Sequence, residues 1–387
     1  MAPARVLYVT ISMDLGGTER QLLELAAGLD RSRFEPSICC LRGAGALAGE
    51  CASRDIPITA FGAPGAVRPA GLAASRDFLS LVFSLAGLMK RERPAIVHGM
   101  LPAAWVAAGL AARLSGVPVL VTGRRCLGHY KDRRPLLRHL ENAVNRWTDA
   151  VVPNSAAVRD DTLARERIAP GKVRVIHNGV RIPDAPPGAG WRGGAGAGIT
   201  GPAVALVANF FPYKGHMDFL DAAAEVLRGF PSASFVLVGD GKLRPEIERR
   251  ASAPDLAGRA ILLGSRPDGG DVMALSDVAA LASHEEGFPN VVLEAMARAR
   301  PVVATRVGGV PEAVEDGVTG ILVPPRDAGA MAGALLRLLR DPRLAAEMGA
   351  RGMERVRRDF TVDRMVRAHE DLYAELLARA ATRRHET

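Results

Sequence analysis

The feature that most limits what this chain can fold into is an alternation between two periods. Short apolar runs rich in β-branched residues occur at Val6–Thr10, Ser37–Leu41, Ile56–Ala60, Ala95–His98, Val117–Thr122, Ala150–Pro153 and Val173–Ile176. Between several of them lie longer Ala/Leu/Arg stretches of helical period, such as Glu19–Leu29, Phe78–Arg91 and Ala103–Leu114. Buried strands that alternate with helices predict a parallel sheet joined by crossover helices. The alternation stops at Pro183–Pro202, where Pro and Gly dominate. It then resumes with strands expected at Val204–Ala208, Ser234–Val238, Ala260–Leu263, Val278–Leu281, Pro301–Ala304 and Gly320–Val323. The interruption reads as a linker, the plainer alternative being a long loop inside one domain.

A chain of 387 residues is too long for one ordinary core, so two α/β domains are expected. Such sheets bind ligands at the carboxyl ends of their strands. Hydrophobic content of 48% with 24% charged residues is that of a globular protein. No run of about 18 uninterrupted apolar residues occurs, and the N-terminus enters a strand directly, so neither a transmembrane helix nor a signal peptide is expected. The expected location is cytoplasmic. The four cysteines, Cys39, Cys40, Cys51 and Cys126, form no CxxC and have no His-paired spacing, so no metal is expected and free thiols fit best. Net charge is +8. It serves solubility or attracts phosphate esters, acidic lipid or other anions. No nucleic-acid-binding module is recognisable and only four Tyr and three Trp are present, so nucleic acid is not an expected partner.

Five segments carry candidate chemistry. Gly16 and Gly17, in DLGGTER, follow the first strand and open a helix. They suit close approach of a phosphate, or an ordinary tight turn, and the pattern is not GxGxxG. Lys214, in NFFPYKG, ends a strand with Asn209 five positions before it. Its ammonium could neutralise a diphosphate leaving group, although a surface lysine is the usual alternative. Gly239-Asp240-Gly241 reads as a plain turn. The richest segment runs from Ser283 to Met296: Gly287 and Pro289 mark a loop into a helix, Glu286 precedes the helix and Glu294 lies inside it. Backbone N–H groups of Asn290 and Val291 would face a diphosphate, and either carboxylate can accept two hydrogen bonds from a vicinal diol. A capping loop with a solvated helix face is the bland alternative. Gly308-Gly309-Val310-Pro311-Glu312 is a further strand-end turn.

Together these residues resemble glycosyltransferase family 4. The strongest element is the E-x7-E pattern, Glu286 to Glu294, within EEGFPNVVLEAMARARPVVATRVGGVPEAVEDGVTGILVPP. GGTER at 16–20, VHGMLPAA at 97–104, PNS at 153–155, VIHNGV at 175–180 and FPYKG at 211–215 support it. The resemblance implies the GT-B fold: two Rossmann-like domains with parallel sheets facing across a cleft that holds the active site. The expected division is 1–182 for the acceptor domain, 183–202 for the linker, 203–360 for the donor domain, and 361–387 for a helix returning toward the first domain. The implied activity is a retaining, hexosyl-type transfer from a nucleotide-sugar to a glycan or lipid-linked acceptor, in bacterial-type polysaccharide or glycolipid synthesis. The nucleotide-sugar is a co-substrate and no cofactor is expected.

The resemblance also implies roles. Glu294 would hold ribose hydroxyls, Glu286 hydroxyls of the transferred sugar, and Lys214 the departing diphosphate. Lys214 and Glu286 are the catalytic candidates. Gly16, Gly17, Asn209, Gly287, Phe288, Pro289, Asn290 and Val291 would complete the donor site. His98 and Arg124 would lie on the acceptor side, and Asn178-Gly179 near the hinge. Two departures stand out. Asn209 replaces the Arg that many members carry, removing a cation unless Arg306 or another Arg compensates. Gly123-Arg124-Arg125 stands where many members have His.

Rival readings are a nucleotide-sugar epimerase on the same architecture, which would release nucleotide without an acceptor, and a non-catalytic sugar-nucleotide-binding subunit. Peripheral contact with an anionic membrane is a further expectation. It rests on FLSLVFSLAGLM at 78–89 and on the basic residues Arg124, Arg125, Lys131, Arg133, Arg134 and Arg138. A buried helix beside a solvated basic loop is the alternative.

Overall fold

A computed structural model of the chain describes residues 2–62, 76–183, 199, 201–256, 258–266 and 269–385. Most of the segment read as a linker, 184–198 and 200, lies outside the described residues. The chain forms two compact units, residues 1–179 with 362–387, and residues 180–361.

The first unit holds six parallel strands: β1 (Ala4–Thr10), β2 (Phe34–Cys40), β3 (Ile58–Ala60), β4 (Ile96–Gly99), β5 (Val119–Arg124) and β6 (Ala150–Pro153). Their order is β3-β2-β1-β4-β5-β6. One face of the sheet carries Val6, Tyr8, Ile38, Ile96, Val121 and Val152, covered by the helices Gly17–Gly28 and Val362–His385. The other carries Leu7, Val9, Val97 and Leu120, covered by Arg76–Glu92 and Pro102–Ser115. Two buried faces explain why these strands are apolar throughout instead of alternating. The run Val173–Ile176 is not a strand of this sheet. Val173 forms only an isolated bridge with Val151, and Ile176 N–H donates to the Pro153 carbonyl at 3.0 Å. Proline has no N–H to return a bond, so the ladder along that edge is incomplete.

The second unit repeats the plan with β7 (Ala203–Val207), β8 (Ser234–Val238), β9 (Ala260–Leu262), β10 (Val278–Leu281), β11 (Val302–Thr305) and β12 (Gly320–Val323), in the order β12-β11-β10-β7-β8-β9. Two apolar clusters cover its two faces. Val180 and Thr361, the unit's first and last residues, pair as an isolated parallel bridge, and Val180 N–H donates to Phe360 O at 2.9 Å. Both sheets are doubly wound, with the strand order reversing between β1 and β4 and between β7 and β10. Among the described residues no helix is long and apolar enough to cross a membrane.

Candidate functional site

In the second unit the two loops that leave the switch point carry the polar side chains. β7 runs into Ala208–Gly215 and β10 into Ala282–Pro289. Lys214 Nζ lies 2.6 Å from Glu286 Oε1, and Ser283 Oγ donates to the same oxygen at 2.7 Å. The lysine and glutamate side chains remain 19% and 11% exposed, so the pair is sheltered but reachable. His284 N–H donates to the Tyr213 carbonyl at 2.7 Å, and Thr305 Oγ1 donates to the Ser283 carbonyl at 2.5 Å. The His284 ring meets Asp218 Oδ2 at 2.5 Å.

Two glycines let these loops close. Gly215 has φ +67, and a Cβ there would sit 1.9 Å from Ala282 O. Gly308 has φ +48, and a Cβ there would sit 1.7 Å from Glu286 O. A side chain at either position meets backbone that cannot yield, and it forces the strained left-handed region as well. Gly309 N–H then donates to Gly287 O at 3.1 Å, which pins the Glu286 loop from the β11 side.

The remaining donor candidates divide by exposure. Phe288 and Pro289 are buried, and the Phe288 ring packs on Phe360 at 5.5 Å, so its side chain serves the core. Asn290 and Val291 open the helix Asn290–Met296, and Glu294 is its fifth residue, half-buried. Asn209 is exposed. Arg306, the other cation considered for that position, has its guanidinium paired with Asp316.

In the first unit, Gly16 and Gly17 precede and open the helix Gly17–Gly28. A Cβ on Gly16 would fall 2.2 Å from Glu19 Oε2, so the glutamate carboxyl folds back over this turn. Burial raises its pKa. His98 and Arg124, the residues expected on the acceptor side, are both buried. His98 is fully buried, its Nδ1 lies 2.8 Å from the Tyr373 hydroxyl, and the Tyr373 hydroxyl donates to Tyr8 at 3.2 Å. Burial, with His369 and Arg125 nearby, drives the His98 pKa well below its usual value, so the ring is neutral. Arg124 is 4% exposed and grips Glu166 through Nε (2.8 Å) and Nη2 (2.7 Å), with its guanidinium 3.9 Å above the Trp105 ring. Lys131 Nζ reaches Glu166 too, and lies 3.3 Å from Glu141. Asn145 donates to Glu166 at 2.8 Å and Tyr130 to Glu141 at 2.8 Å. Burial alone would raise the Glu166 carboxyl, but Arg124 and Lys131 hold it at about 2.

Glu166 and Glu141 carried no signal in the sequence, and Lys131 was read there only as one of a basic stretch. Their partners lie tens of residues away, and nothing local marks a Glu as buried. Arg125, the neighbour of Arg124, has a different setting: Nη1 donates to Asn178 Oδ1 at 2.8 Å, and Asn178 is itself buried. Among the described residues no group of three or more His, Cys, Asp or Glu is placed to hold a metal ion.

Comparison with known proteins agrees with this architecture. The family profile described as Glycosyltransferase Family 4 matches residues 15–182, and that described as Glycosyl transferases group 1 matches residues 201–341. The chain is 35% identical to D-inositol 3-phosphate glycosyltransferase of Saccharomonospora viridis over 62% of its own length and 58% of that protein. It is 26% identical to the UDP-Gal:alpha-D-GlcNAc-diphosphoundecaprenol alpha-1,3-galactosyltransferase of Escherichia coli over 96% of its own length and 97% of that protein. The chain spans about half the length of the first curated relatives it matches. Among solved structures, Anabaena HepE, in complex with UDP and glucose, superposes with a TM-score of 0.84 at 22% identity, covering 96% of this chain and all of that one. Two matched profiles, two doubly wound parallel sheets and the GT-B neighbours lead to one conclusion: the chain belongs to glycosyltransferase family 4 and has the GT-B fold.

Proposed function

We propose that the protein transfers a hexosyl group, with retention of anomeric configuration, from a nucleotide-diphosphate sugar to a glycan or lipid-linked acceptor in polysaccharide or glycolipid synthesis. One observation carries this reading: the ammonium of Lys214 and the carboxylate of Glu286 meet at 2.6 Å, on the two loops that leave the β7/β10 switch point. Each group holds the other's charge until a donor arrives. The sugar hydroxyls then take the carboxylate and the diphosphate takes the ammonium.

The anomeric C–O bond to phosphate breaks while the acceptor oxygen bonds to the same face of the sugar. The acceptor proton passes to the departing phosphate oxygen. Lys214 neutralises the charge that develops on the diphosphate, so the chemistry rests on positioning and electrostatics. Glu294 holds the ribose hydroxyls, while Gly287 and the backbone N–H groups of Phe288, Asn290 and Val291, with Pro289 shaping the turn, hold the donor from the Glu286 loop. The complexes of HepE with UDP and glucose and with UDP-glucose support a uridine donor. The diphosphoundecaprenol acceptor of the E. coli relative supports a lipid-linked acceptor. The thiols Cys39 and Cys40 are buried, with the Cys40 pKa pushed up to about 12 by burial, which agrees with an inert role in a cytoplasmic protein.

The test is nucleotide release from a panel of UDP-, GDP- and ADP-sugars, with and without cell-derived acceptor, followed by NMR assignment of the product anomer. Acceptor-dependent release with an inverted product would overturn retention. Release with an isomerised free sugar would favour the epimerase, and binding without release the non-catalytic subunit.

A peripheral membrane position is supported by the helix Arg76–Glu92, which buries Leu81, Val82 and Leu85 but leaves Leu79 58% and Phe83 65% exposed one turn apart. Leu136 is exposed between the exposed Arg134 and Arg138. The cationic share is smaller than the sequence suggests, since Arg124 and Lys131 are buried in ion pairs. Docking on anionic leaflets then relies on apolar insertion as much as on charge. Cosedimentation with anionic vesicles should fall at least several-fold in Phe83→Glu, and equal sedimentation of the variant removes the reading.

A further inference from the structure

Two adjacent arginines leave the end of β5 in opposite circumstances. Arg124 has a bidentate carboxylate partner. Arg125 donates to one neutral amide oxygen, that of Asn178, and its Nε has no hydrogen-bond partner among the described residues. Its guanidinium folds back over the sheet: a Cβ on Gly123 would lie 3.5 Å from Arg125 Nε, 3.3 Å from Met100 O and 3.5 Å from Gly99 O. The cation therefore rests over the carboxyl ends of β4 and β5, beside the β1/β4 switch point.

The titratable groups that face Arg125 are the phenols of Tyr8 and Tyr373 and the imidazoles of His98 and His369. Burial holds both phenols protonated and both imidazoles uncharged, with His369 lowered to about 3. No carboxylate among the described residues offsets the guanidinium. A sheltered, uncompensated cation is unfavourable unless an anion completes it.

A second observation is independent of the arginine. Several fully or nearly fully buried polar atoms at the same strand ends have no hydrogen-bond partner among the described residues: Thr10 Oγ1 at the end of β1, His98 Nε2 in β4, and Asn154 Oδ1 just after β6. His369 Nε2, from the helix Val362–His385, is unpartnered as well. Tyr8, Thr10 and His98 belong to one sheet face: Tyr8 pairs in register with His98, and Thr10 is two residues further along the same strand. Water could satisfy these atoms, but it would leave the charge of Arg125 unbalanced.

We propose that Arg125, with Asn178 positioning it, is the anion-binding residue of the first unit and takes a phosphoryl group of the acceptor. This assignment rests on the glycosyl-transfer reading above. A phosphate offers the pair of oxygens that a guanidinium fork matches, and hydroxyl and imidazole groups at the strand ends supply further hydrogen bonds to it.

The test uses the full chain carrying Lys214→Ala, which removes the cation assigned to the donor diphosphate. Binding of inorganic pyrophosphate and of geranyl diphosphate is measured by titration calorimetry. Adding Arg125→Gln should weaken both at least tenfold, Arg125→Lys should weaken them less, and the exposed control Arg113→Gln should change neither. Tighter binding of geranyl diphosphate than of pyrophosphate assigns the phosphoryl group to a lipid-linked acceptor. Equal binding assigns it to a free phosphorylated one. In the absence of anion Arg125→Gln should melt no lower than its parent, because it removes an unbalanced charge. Unchanged affinity on adding Arg125→Gln, or no binding by the Lys214→Ala parent, overturns the proposal. Nucleotide release by the wild-type protein is read separately, so failure of the transfer reading is distinguishable from failure of the anion site.

Discussion

The two switch points share one topology and differ in what they do with charge. At β7/β10 a cation and an anion meet across two loops, both partly exposed, with two glycines holding the loops close. At β1/β4 the helix Val362–His385 packs against the strands, its Tyr373 and His369 lying on His98 and Tyr8. Charge there is either locked inside, as in Arg124–Glu166, or left without a carboxylate partner among the described residues, as at Arg125. The difference teaches that a doubly wound sheet fixes where a ligand can bind, while the loops and the covering helix decide what it can be.

Four experiments would break or sharpen that contrast. The largest expected effect is on stability: Glu166→Ala leaves Arg124 buried without its carboxylate, and Lys131 with Glu141 alone. It should destabilise the first unit by about 3–5 kcal/mol, measured by denaturant unfolding. A loss below 1 kcal/mol would mean that this network is solvated after all. Second, Lys214→Ala should lower nucleotide release by about 10²–10³-fold, the scale of losing one charge-stabilising group. Its unfolding curve should shift little, since a partly exposed ion pair contributes modestly. Wild-type turnover in this variant would remove the contrast altogether.

Third, both units should lose stability in acid through buried neutral histidines. His216 is lowered to about 4 and His369 to about 3, both by burial. The unfolded chain binds protons near pH 6.5 and the folded one does not, so stability is full above about pH 6.5 and falls as pH drops toward 4. Replacing His216 by Gln should flatten that fall for the second unit. An unchanged pH profile would show that His216 is not the group titrating. The smallest effect belongs to Tyr373→Phe, which removes hydroxyl contacts with His98 and Tyr8. It should destabilise by about 1–3 kcal/mol, the range for a buried polar group left without its partner. Thermal melting that stays at the wild-type temperature would show that the helix is held by apolar packing alone.

Much of the molecule was legible in the linear order of residues. Apolar runs of strand length placed the strands because both sheet faces are covered, and a strand buried on both sides has only one composition open to it. The exception, Val173–Ile176, looks like a strand but borders Pro153, which cannot complete a ladder. Glu286 and Glu294 were legible for another reason: both lie on one short loop and the helix it opens, so spacing alone relates them. The interior setting of Arg124 was not legible in the sequence. A charged side chain is expected at the surface, and only its bidentate grip on Glu166, 42 positions away, reveals an interior role.

The sequence by itself determined two α/β repeats, the alternation of buried strands and crossover helices, and the acidic pair at a loop-to-helix junction, because each depends on residues close together along the chain. Only the tertiary structure decided that Lys214 meets Glu286 across 72 positions, that Tyr373 closes over His98 across 275, and that of two neighbouring arginines one is neutralised and the other is not. Those outcomes depend on burial and on partners brought together by strand order, and a charge has no fixed energy until its surroundings are set.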